Sequence, residues 1–210
     1  MMPRHAVIAT RSRHKLEEVR AILGGSLRIH GETLELIDLA TAGIQPAPEE
    51  DDVEAFETFR ENALAKARYF AALTGLPTIA DDSGIVVHAL DGAPGVRSKR
   101  FSGRNDLSGH ALDRANNALL LEKLEGVPEQ QRAAHYVCAA ALVGAWPGSV
   151  TGVGTCSGRI LHEPVGSGGF GYDPLFWVPE LGRSFGELPA ELKHGVSHRG
   201  RAFRALAACG

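Results

Sequence analysis

The sequence is poor in cysteine and has no long apolar run. Only three of the 210 residues are cysteine, and none of them forms a CxxC pair: Cys138, Cys156 and Cys209. Such sparse cysteines exclude a disulfide framework and argue against zinc-ribbon and thioredoxin-like motifs, and their odd number fits a reducing compartment. No run of about 18 apolar residues is present, so we expect no membrane-spanning helix and no membrane partner.

The sequence also lacks a large excess of either charge. Its 22 Lys and Arg against 25 Asp and Glu give a net charge of −3, which argues against nucleic acid as a partner but leaves room for a small anion site. With 44% hydrophobic and 22% charged residues, the disordered, collagen-like and fibrous classes are excluded. The apolar run at residues 6–9 is too short for a signal-peptide core. We therefore expect a globular cytoplasmic protein.

Strand and helix patterns alternate early in the chain and then give way to a long hairpin. Short apolar runs predict strands, and apolar residues at spacings of three and four predict helices. The predicted strands are 6–9, 34–37, 78–80, 85–90, 132–143, 150–160 and 175–178, and the predicted helices are 16–23, 55–74, 108–124 and 197–208. This order indicates an α/β fold with a mixed sheet. Because there is no repeat and no long linker, residues 1–210 are expected to form a single domain.

A basic segment, Thr10-Arg-Ser-Arg-His-Lys15, lies between the first predicted strand and the first predicted helix. Hydroxyl groups, backbone N–H groups at a helix start and cationic side chains together favour an anion site. The segment does not have the GxxxxGK[ST] pattern of a Walker A loop. An ordinary N-cap beside a solvated basic patch explains the same residues.

Two adjacent carboxylates follow the strand 78–80, in the segment Asp81-Asp82-Ser83-Gly84. Carboxylates between apolar strands destabilise the fold unless a metal, a hydrogen-bonding turn or solvent stabilises their charge. Mg²⁺ favours one or two carboxylates together with substrate phosphates. The alternative is a plain Asx turn, although such a turn does not require two acids.

A glycine-rich segment, Gly166-Ser-Gly-Gly-Phe-Gly171, contains the spacing GxGxxG. The dinucleotide-binding interpretation requires a helix directly afterwards, and Pro174 with the strand pattern that follows it exclude one. The loop could instead present Phe170 and Tyr172 for stacking on a base. A tight surface turn with an aromatic side chain in the core remains the alternative.

A second basic segment, Lys193-His-Gly-Val-Ser-His-Arg-Gly200, leads into the last predicted helix, for which Ser197 is the predicted N-cap. Cations before and within the first turn of a helix oppose the dipole preference unless an anion or polar ligand binds there. His198 taken alone is equally consistent with a surface histidine. Acidic residues concentrate elsewhere, at 49–61 and 81–82, so a metal-bound polyanion would need both groups in one cleft.

These segments together resemble the inosine triphosphatase (dITP/XTP pyrophosphatase) family of house-cleaning nucleotide hydrolases. The resemblance covers nearly the whole chain. Its most specific parts are Thr58-Phe-Arg-Glu-Asn-Ala63, Lys66-Ala-Arg68, Ala80-Asp-Asp-Ser-Gly84, Gly92-Ala-Pro-Gly-Val96, Arg100-Phe-Ser-Gly103, Gly168-Gly-Phe-Gly-Tyr-Asp-Pro174 and Ser197-His-Arg-Gly200.

The resemblance implies hydrolysis of ITP, dITP or XTP to the monophosphate and pyrophosphate with Mg²⁺. It also implies an elongated α/β fold with a central substrate cleft, and a homodimer. By position, Asp82 would be the catalytic proton acceptor and a metal-site residue, with Asp81 beside it. Glu54, five residues before Phe59, fits the family's metal-site glutamate, although Glu49, Glu50, Asp51 and Asp52 lie close by in sequence.

The remaining implied roles concern substrate binding. Thr10, Arg11, Ser12, Arg13, His14 and Lys15 would cradle the triphosphate, and Ser83 would contact substrate. Phe170, Gly171, Tyr172 and Asp173 would hold the base and sugar, Lys193 would contact substrate, and His198 and Arg199 would read the purine 6-oxo edge. A site that satisfies a 6-oxo group leaves a 6-amino donor unpaired, which would discriminate against ATP.

The chain departs from the family pattern at two positions. Ser12 and His194 stand where the family usually has asparagine, and neither change removes a charge that the chemistry needs. Two other functions remain open at this point. One is a nucleotide pyrophosphatase of different base preference, such as for modified pyrimidines, and the other is a nucleotide-binding protein without turnover.

Overall fold

Eight strands and five α-helices form the regular structure of residues 4–209, the part of the chain that the computed structural model describes. The strands are β1 Arg4–Ile8, β2 Ser26–Ile29, β3 Glu32–Asp38, β4 Thr78–Val87, β5 Ala133–Val143, β6 Ser149–Ile160, β7 Phe176–Val178 and β8 Arg183–Ser184. The helices are α1 Arg13–Leu23, α2 Phe59–Thr74, α3 Gly109–Lys123, α4 Ala190–Val196 and α5 His198–Ala208. Short 3₁₀ helices include Pro48–Asp52, Gly95–Arg100 and Asp173–Leu175.

The strands form one mixed sheet in the order β2-β3-β1-β4-β5-β6-β7-β8. β1 lies parallel to both β3 and β4, whereas β2 pairs antiparallel with β3. At the other end of the order, β7 pairs antiparallel with β6 and β8. The predicted α/β class and mixed sheet are confirmed.

The chain divides into two compact units. The first comprises the described parts of Met1–Asp82, Cys138–Gly154 and Ser197–Gly210, and the second comprises Ser83–Val137 and Thr155–Val196. The single domain, the elongated form and the central cleft stay predictions. Residues 1–3 and 210 of the predicted domain lie outside the described part.

The first unit buries both faces of its strands. Successive side chains of a strand point to opposite faces, and in β1 Ala6 and Ile8 join one core cluster while Val7 joins another with the next residue, Ala9. The first cluster includes residues of α1 and α5, and the second includes residues of α2: Val19, Phe203 and Leu206 for the first, Ala63, Ala67 and Phe70 for the second. Burial on both faces explains why these strands read as continuous apolar runs.

Two glycines allow α5 to lie close to β6 within the first unit. A Cβ atom at Gly152 would collide with the backbone of Ala202 and Leu206, and one at Gly154 would collide with the carbonyl of His198. Neither glycine has a positive φ. The requirement is therefore for space rather than for backbone conformation, and it fixes how α5 packs.

The second unit has one apolar core, built from the ends of β4, β5 and β6 with β7 and α3. Arg132 is buried here, and its guanidinium donates to the carbonyls of Leu124, Ile160 and Leu161 at 2.9 Å each. These bonds join the end of α3 to the end of β6 through one side chain.

Most predicted elements are confirmed, with three corrections. The predicted helix 55–74 begins at Phe59, because Thr58 caps it by accepting from the Glu61 N–H at 3.2 Å. The predicted strands 78–80 and 85–90 are one strand, Thr78–Val87, so the Asx turn at 81–84 is wrong. Residues 190–196, to which the sequence patterns assigned no element, form α4.

The predicted N-cap at Ser197 is confirmed, and other helix ends are capped in the same local manner. Ser12 and Ser197 each accept from a backbone N–H three residues on, at 3.4 and 3.1 Å. Gly24 and Gly75 end α1 and α2 with φ of 65° and 67°, the left-handed conformation that glycine adopts without strain. Among residues 4–209, no helix has the length and apolar character needed to cross a bilayer.

Gly152→Ala is expected to destabilise the protein by about 1–3 kcal/mol, because the added methyl group must displace the backbone of α5. The measurement is thermal or urea-induced unfolding. Gly195→Ala in α4 is the matched control, since an added Cβ there meets no atom within 4 Å and alanine favours a helix. Equal stability of the two variants would contradict the close packing of α5 on β6.

Candidate active site

The basic segment after β1 begins the site in the first unit. Ser12 caps α1, and the Thr10 hydroxyl accepts from the Ser12 N–H at 3.2 Å. This geometry directs Lys15, in the first turn of α1, toward β4, and its Nζ lies 3.2 Å from Oδ2 of Asp81. Lys15 is largely buried, so its ammonium group faces the Asp81 carboxylate rather than solvent.

The other cations of this segment have different surroundings. The Arg11 guanidinium donates to the Glu50 carboxylate at 2.6 and 2.9 Å and to the carbonyls of Ile44 and Gln45. The exposed Arg13 pairs with Glu17 at 2.8 Å. His14 is half-buried. Their predicted contacts with a triphosphate stay predictions, and of the segment's basic side chains Lys15 is the one seen paired with Asp81.

Asp81 is a buried carboxylate surrounded by cations. It is 2% exposed, and its Oδ2 accepts from Nε and Nη2 of Arg199 at 3.3 and 3.2 Å in addition to the Lys15 contact. Burial alone would raise the pKa of Asp81, but Lys15, Arg199 and Lys66 outweigh burial and hold the pKa far below its ordinary value. Asp81 is therefore a permanent anion of the site and unsuited to accept a proton.

The pKa of Asp82 is shifted in the opposite direction, above its ordinary value. Asp82 is 7% exposed, and its Oδ2 accepts from Nδ2 of Asn62 at 3.0 Å. Burial raises the pKa of Asp82 above its ordinary value, the Glu54 carboxylate adds to this, and Lys15 and Lys66 offset only part of it. Two adjacent carboxylates whose pKa values are pushed apart are typical of paired acid and base roles.

Glu54 and Lys66 complete this cluster. The Lys66 ammonium pairs with the Glu54 carboxylate and also donates to the Asp81 carbonyl at 2.6 Å. Burial would raise the pKa of Glu54, but Lys66 and Lys15 lower it overall. The structure thus brings Glu54 of the acidic segment into the cluster, whereas Glu50 pairs with Arg11. The side chain of Asp51 lies outside the described residues.

Arg199 is held from two sides. It is 2% exposed, and its Nη1 donates to the Glu18 carboxylate of α1 while its other nitrogens donate to Asp81. Burial would lower the pKa of Arg199, but Asp81 and Glu18 raise it overall. His198, the neighbouring residue in the first turn of α5, is buried as well. The predicted recognition of the purine 6-oxo group by His198 and Arg199 stays a prediction.

Three members of the cluster had no predicted role: Glu18, Asn62 and Lys66. Asn62 and Lys66 are four residues apart on α2 and so share one helix face, which is the signal that could have singled them out. Glu18 is three residues after Lys15 on α1 and shares a face in the same way. Its partner is Arg199, which is 181 residues away in sequence, so the pairing has no local signature.

The charges of the cluster leave a formal excess of one carboxylate. Three cations (Lys15, Lys66 and Arg199) face four carboxylates (Glu18, Glu54, Asp81 and Asp82), which sums to 3 − 4 = −1. Among the described residues, no three His, Cys, Asp or Glu side chains are arranged to hold a metal by themselves. Asp82 and Glu54, which repel each other, suit a hard divalent cation that takes its other ligands from a substrate.

The glycine-rich loop forms a second cluster, within the second unit. The Asp173 carboxylate accepts from the Phe170 N–H at 2.8 Å and from the Lys193 ammonium at 2.6 Å. Asp173 and Lys193 are both nearly fully buried. The Lys193 Nζ also lies 5.1 Å from the centre of the Phe170 ring, a cation–π arrangement. Lys193 therefore fixes the loop from α4.

The two aromatic residues of this loop differ in exposure. Phe170 is half-exposed, whereas Tyr172 is buried and its hydroxyl donates to the Ser98 carbonyl at 2.8 Å. Of the two aromatic residues, Phe170 is thus the more exposed, and its predicted stacking on a base stays a prediction. The loop continues into the 3₁₀ helix Asp173–Leu175 and then β7, in agreement with the rejection of a dinucleotide-binding motif. Ser83, in the second unit, is half-buried.

Comparison with known proteins places the chain in a family. Residues 6–209 match the Ham1 family. The chain is 49% identical over 200 residues to the dITP/XTP pyrophosphatase of Geobacter sulfurreducens, covering 95% of this chain and 93% of that protein. It is also 49% identical over 203 residues to the dITP/XTP pyrophosphatase of Frankia alni, covering 96% and 94%.

A solved structure agrees with these relatives. The structure of a HAM1 protein from Coxiella burnetii superposes with a TM-score of 0.80 at 35% identity, covering 98% of this chain and 97% of that one. The resemblance drawn from the sequence motifs is confirmed. On the family match, the relatives and the fold, this chain belongs to the Ham1 family.

Proposed function

We propose that this protein hydrolyses the non-canonical purine nucleoside triphosphates ITP, dITP and XTP to the monophosphate and pyrophosphate, with Mg²⁺. The observation that carries the proposal is the pair Asp81 and Asp82, in which one buried carboxylate is held ionised by Lys15 and Arg199 and its neighbour has a raised pKa. Two curated relatives at 49% identity carry the name dITP/XTP pyrophosphatase, which supports the same reaction. Such an enzyme would cleanse the nucleotide pool and prevent incorporation of these nucleotides into DNA and RNA.

Asp82 is the proposed proton acceptor. Hydrolysis forms a bond between a water oxygen and phosphorus and breaks the anhydride bond between the α- and β-phosphates, so the water must lose a proton. A carboxylate with a raised pKa is better suited to accept it than an ordinary aspartate. Asn62, which donates to Oδ2 of Asp82, fixes the direction of the carboxylate.

The cations Lys15 and Lys66 are the proposed neutralising groups for the phosphates. Asp82 and Glu54 would hold Mg²⁺, since the metal prefers few carboxylates and completes its shell with phosphate oxygens and water. When bound, Mg²⁺ would withdraw charge from the phosphates and polarise the phosphorus toward attack. Thr10, Ser12 and the nearby helix start of α1 would supply hydroxyl and N–H donors.

The base is assigned to the loop of the second unit. The exposed face of Phe170 would stack on the purine, with Asp173 and Lys193 holding the loop in place. We keep His198 and Arg199 as candidates for reading the 6-oxo edge, although the Arg199 guanidinium already donates to two carboxylates. We also propose a cytoplasmic homodimer with a small-molecule substrate and no nucleic-acid or membrane partner, on the strength of the composition and the family resemblance.

Asp82→Asn is expected to lower turnover of ITP by about 10²–10⁴-fold, because the amide cannot accept the proton from water. The measurement is pyrophosphate release under saturating ITP and Mg²⁺, with circular dichroism to establish that the variant is folded. Asp106→Asn is the control, since Asp106 is exposed and pairs with Arg104. Activity retained in Asp82→Asn would remove Asp82 from the proposed role.

A panel of nucleoside triphosphates tests the base preference. We expect pyrophosphate release from ITP, dITP and XTP in the presence of Mg²⁺, little release from ATP or GTP, and none after chelation of the metal. Equal turnover of ATP would contradict the selectivity, and preferred turnover of modified pyrimidine nucleotides would point to a different pyrophosphatase. Tight binding of ITP without pyrophosphate release would favour a nucleotide-binding protein instead.

Activity is expected to fall as the pH decreases through the raised pKa of Asp82, because only its ionised form accepts a proton. Asp81 stays ionised over the same range, since its pKa is lowered. Lys66→Met should move the acidic limb of the kcat/KM profile to higher pH, because Lys66 lowers the pKa of Asp82. A limb that stays in place or moves to lower pH in this variant would contradict the assignment of the limb to Asp82.

A further inference from the structure

The guanidinium of Arg11 binds both ends of one segment of the first unit. This segment, residues 44–50, lies between β3 and α2. Nε and Nη2 of Arg11 donate to the two carboxylate oxygens of Glu50 at 2.9 and 2.6 Å. Nη1 donates to the Ile44 carbonyl at 3.0 Å, and Nη2 also donates to the Gln45 carbonyl at 2.9 Å. The residue before the N-cap of α1 is thus connected to the beginning and the end of the segment.

The Glu50 side chain is turned toward this contact. Most residues of segment 44–50 are exposed, but the Glu50 side chain is 14% exposed. Its Oε1 also accepts from the Ala47 N–H at 3.2 Å. The hydrogen bonds with Arg11 lower the pKa of Glu50, so this carboxylate is ionised at neutral pH. The pair is therefore both charged and bidentate, which makes it stronger than a contact between neutral groups.

The donors of Arg11 are largely occupied by this segment. A guanidinium has five N–H donors, and the four hydrogen bonds to Glu50, Ile44 and Gln45 use four of them. A bidentate contact with a phosphate group needs two adjacent donors. Such a contact would therefore have to displace one of the protein partners.

Both ends of the contact lead into the proposed site. On one side, Arg11 is followed by the first turn of α1, where Lys15 faces Asp81. On the other side, segment 44–50 ends four residues before Glu54. Arg11 thus joins the part of the chain with the proposed phosphate donors to the part with a proposed carboxylate for Mg²⁺.

We propose that Arg11 is a positioning residue, which holds segment 44–50 against the start of α1 and so restricts the backbone that leads to Glu54. This inference rests on the proposed function. The Glu54 carboxylate keeps its own contact with Lys66, and Arg11 acts on the chain before it. The phosphate contact predicted for Arg11 from the sequence is the alternative, which the experiment below distinguishes.

Loss of the contact should affect binding more than the chemical step. A loosened segment would have to be ordered when substrate and metal bind, and this ordering lowers the affinity. Once the ligands are bound, the same groups surround the reacting phosphates, so kcat should change little.

Two substitutions separate the positioning role from the alternative. Glu50→Gln removes the negative charge and directs an NH₂ group toward the donors of Arg11. Arg11→Lys keeps the positive charge, but one ammonium cannot replace the planar set of donors. If Arg11 positions the segment, both variants bind more weakly. If Arg11 binds phosphate, Glu50→Gln releases it and strengthens binding.

Glu32→Gln is the matched control. It makes the same exchange of side chain in the first unit and breaks the exposed pair between Glu32 and Arg4, whose atoms are 2.5 Å apart. The pair connects β1 and β3 and involves neither segment 44–50 nor a residue of the proposed site.

The experiment measures binding of pyrophosphate with Mg²⁺ by calorimetry, KM and kcat for ITP, and amide hydrogen exchange of residues 44–53, all on the full chain. For Glu50→Gln and Arg11→Lys we expect faster exchange in this range and a rise of about threefold to tenfold in Kd and KM, as for one lost hydrogen bond. The kcat should stay within about twofold of the original. The double variant should not exceed the larger single effect, because both substitutions disrupt one contact. Glu32→Gln should match the original protein.

Unchanged exchange in both variants would overturn the anchoring of segment 44–50. A lower Kd in Glu50→Gln would overturn the positioning role and favour the phosphate contact. Faster exchange with unchanged Kd and KM, or a fall in kcat at constant KM, would overturn the link to binding. An original protein that binds pyrophosphate but does not hydrolyse ITP would contradict the proposed function alone, because the Kd and exchange comparisons do not depend on turnover.

Discussion

The buried carboxylate of Asp81 is the constraint on which the first unit depends. An ionised carboxylate in the interior is strongly destabilising unless cations and hydrogen bonds compensate it. Here the compensation comes from the beginnings of two helices: Lys15 in the first turn of α1 and Arg199 in the first turn of α5. The requirement to compensate one charge therefore fixes where two helices begin relative to β4.

The same constraint determines the chemistry next to it. Successive residues of a strand point to opposite faces, so Asp82 does not share the contacts of Asp81 with Arg199. It instead meets Asn62 and the field of Glu54, and burial raises its pKa. The fold thus places two chemically identical side chains in surroundings that shift their pKa values in opposite directions, and Glu18 contributes by holding Arg199 beside Asp81.

The sequence was sufficient for what depends on local patterns. The apolar runs of β1, β5 and β6 and the cap at Ser197 are local features, and the structure has them. The family motifs led to Asp81, Asp82, Glu54 and Lys15, which the structure brings together. The motifs also led to Phe170, Asp173 and Lys193, which form the second cluster.

Features that depend on distant partners could not be predicted in this way. The two acids at 81–82 interrupt an apolar run, so the sequence predicted a break between two strands; Lys15, Arg199 and Asn62 compensate these acids, and the strand continues. The predicted phosphate contact of Arg11 stays a prediction, and its pairing with Glu50 across 39 residues has no local signal in the sequence. The contact of Glu18 with Arg199 likewise becomes visible only when the helices are in place.

The opposite ionisation of the two aspartates is tested most directly by a carbon-13 NMR titration of their carboxyl carbons, with Asp81→Asn and Asp82→Asn used to assign the signals. The ordinary value for both groups is 3.8. Asp82 is predicted to titrate above that value, while Asp81 shows no titration down to the acid limit of the folded protein. Titration of Asp82 at or below 3.8, or protonation of Asp81 before Asp82, would contradict the account.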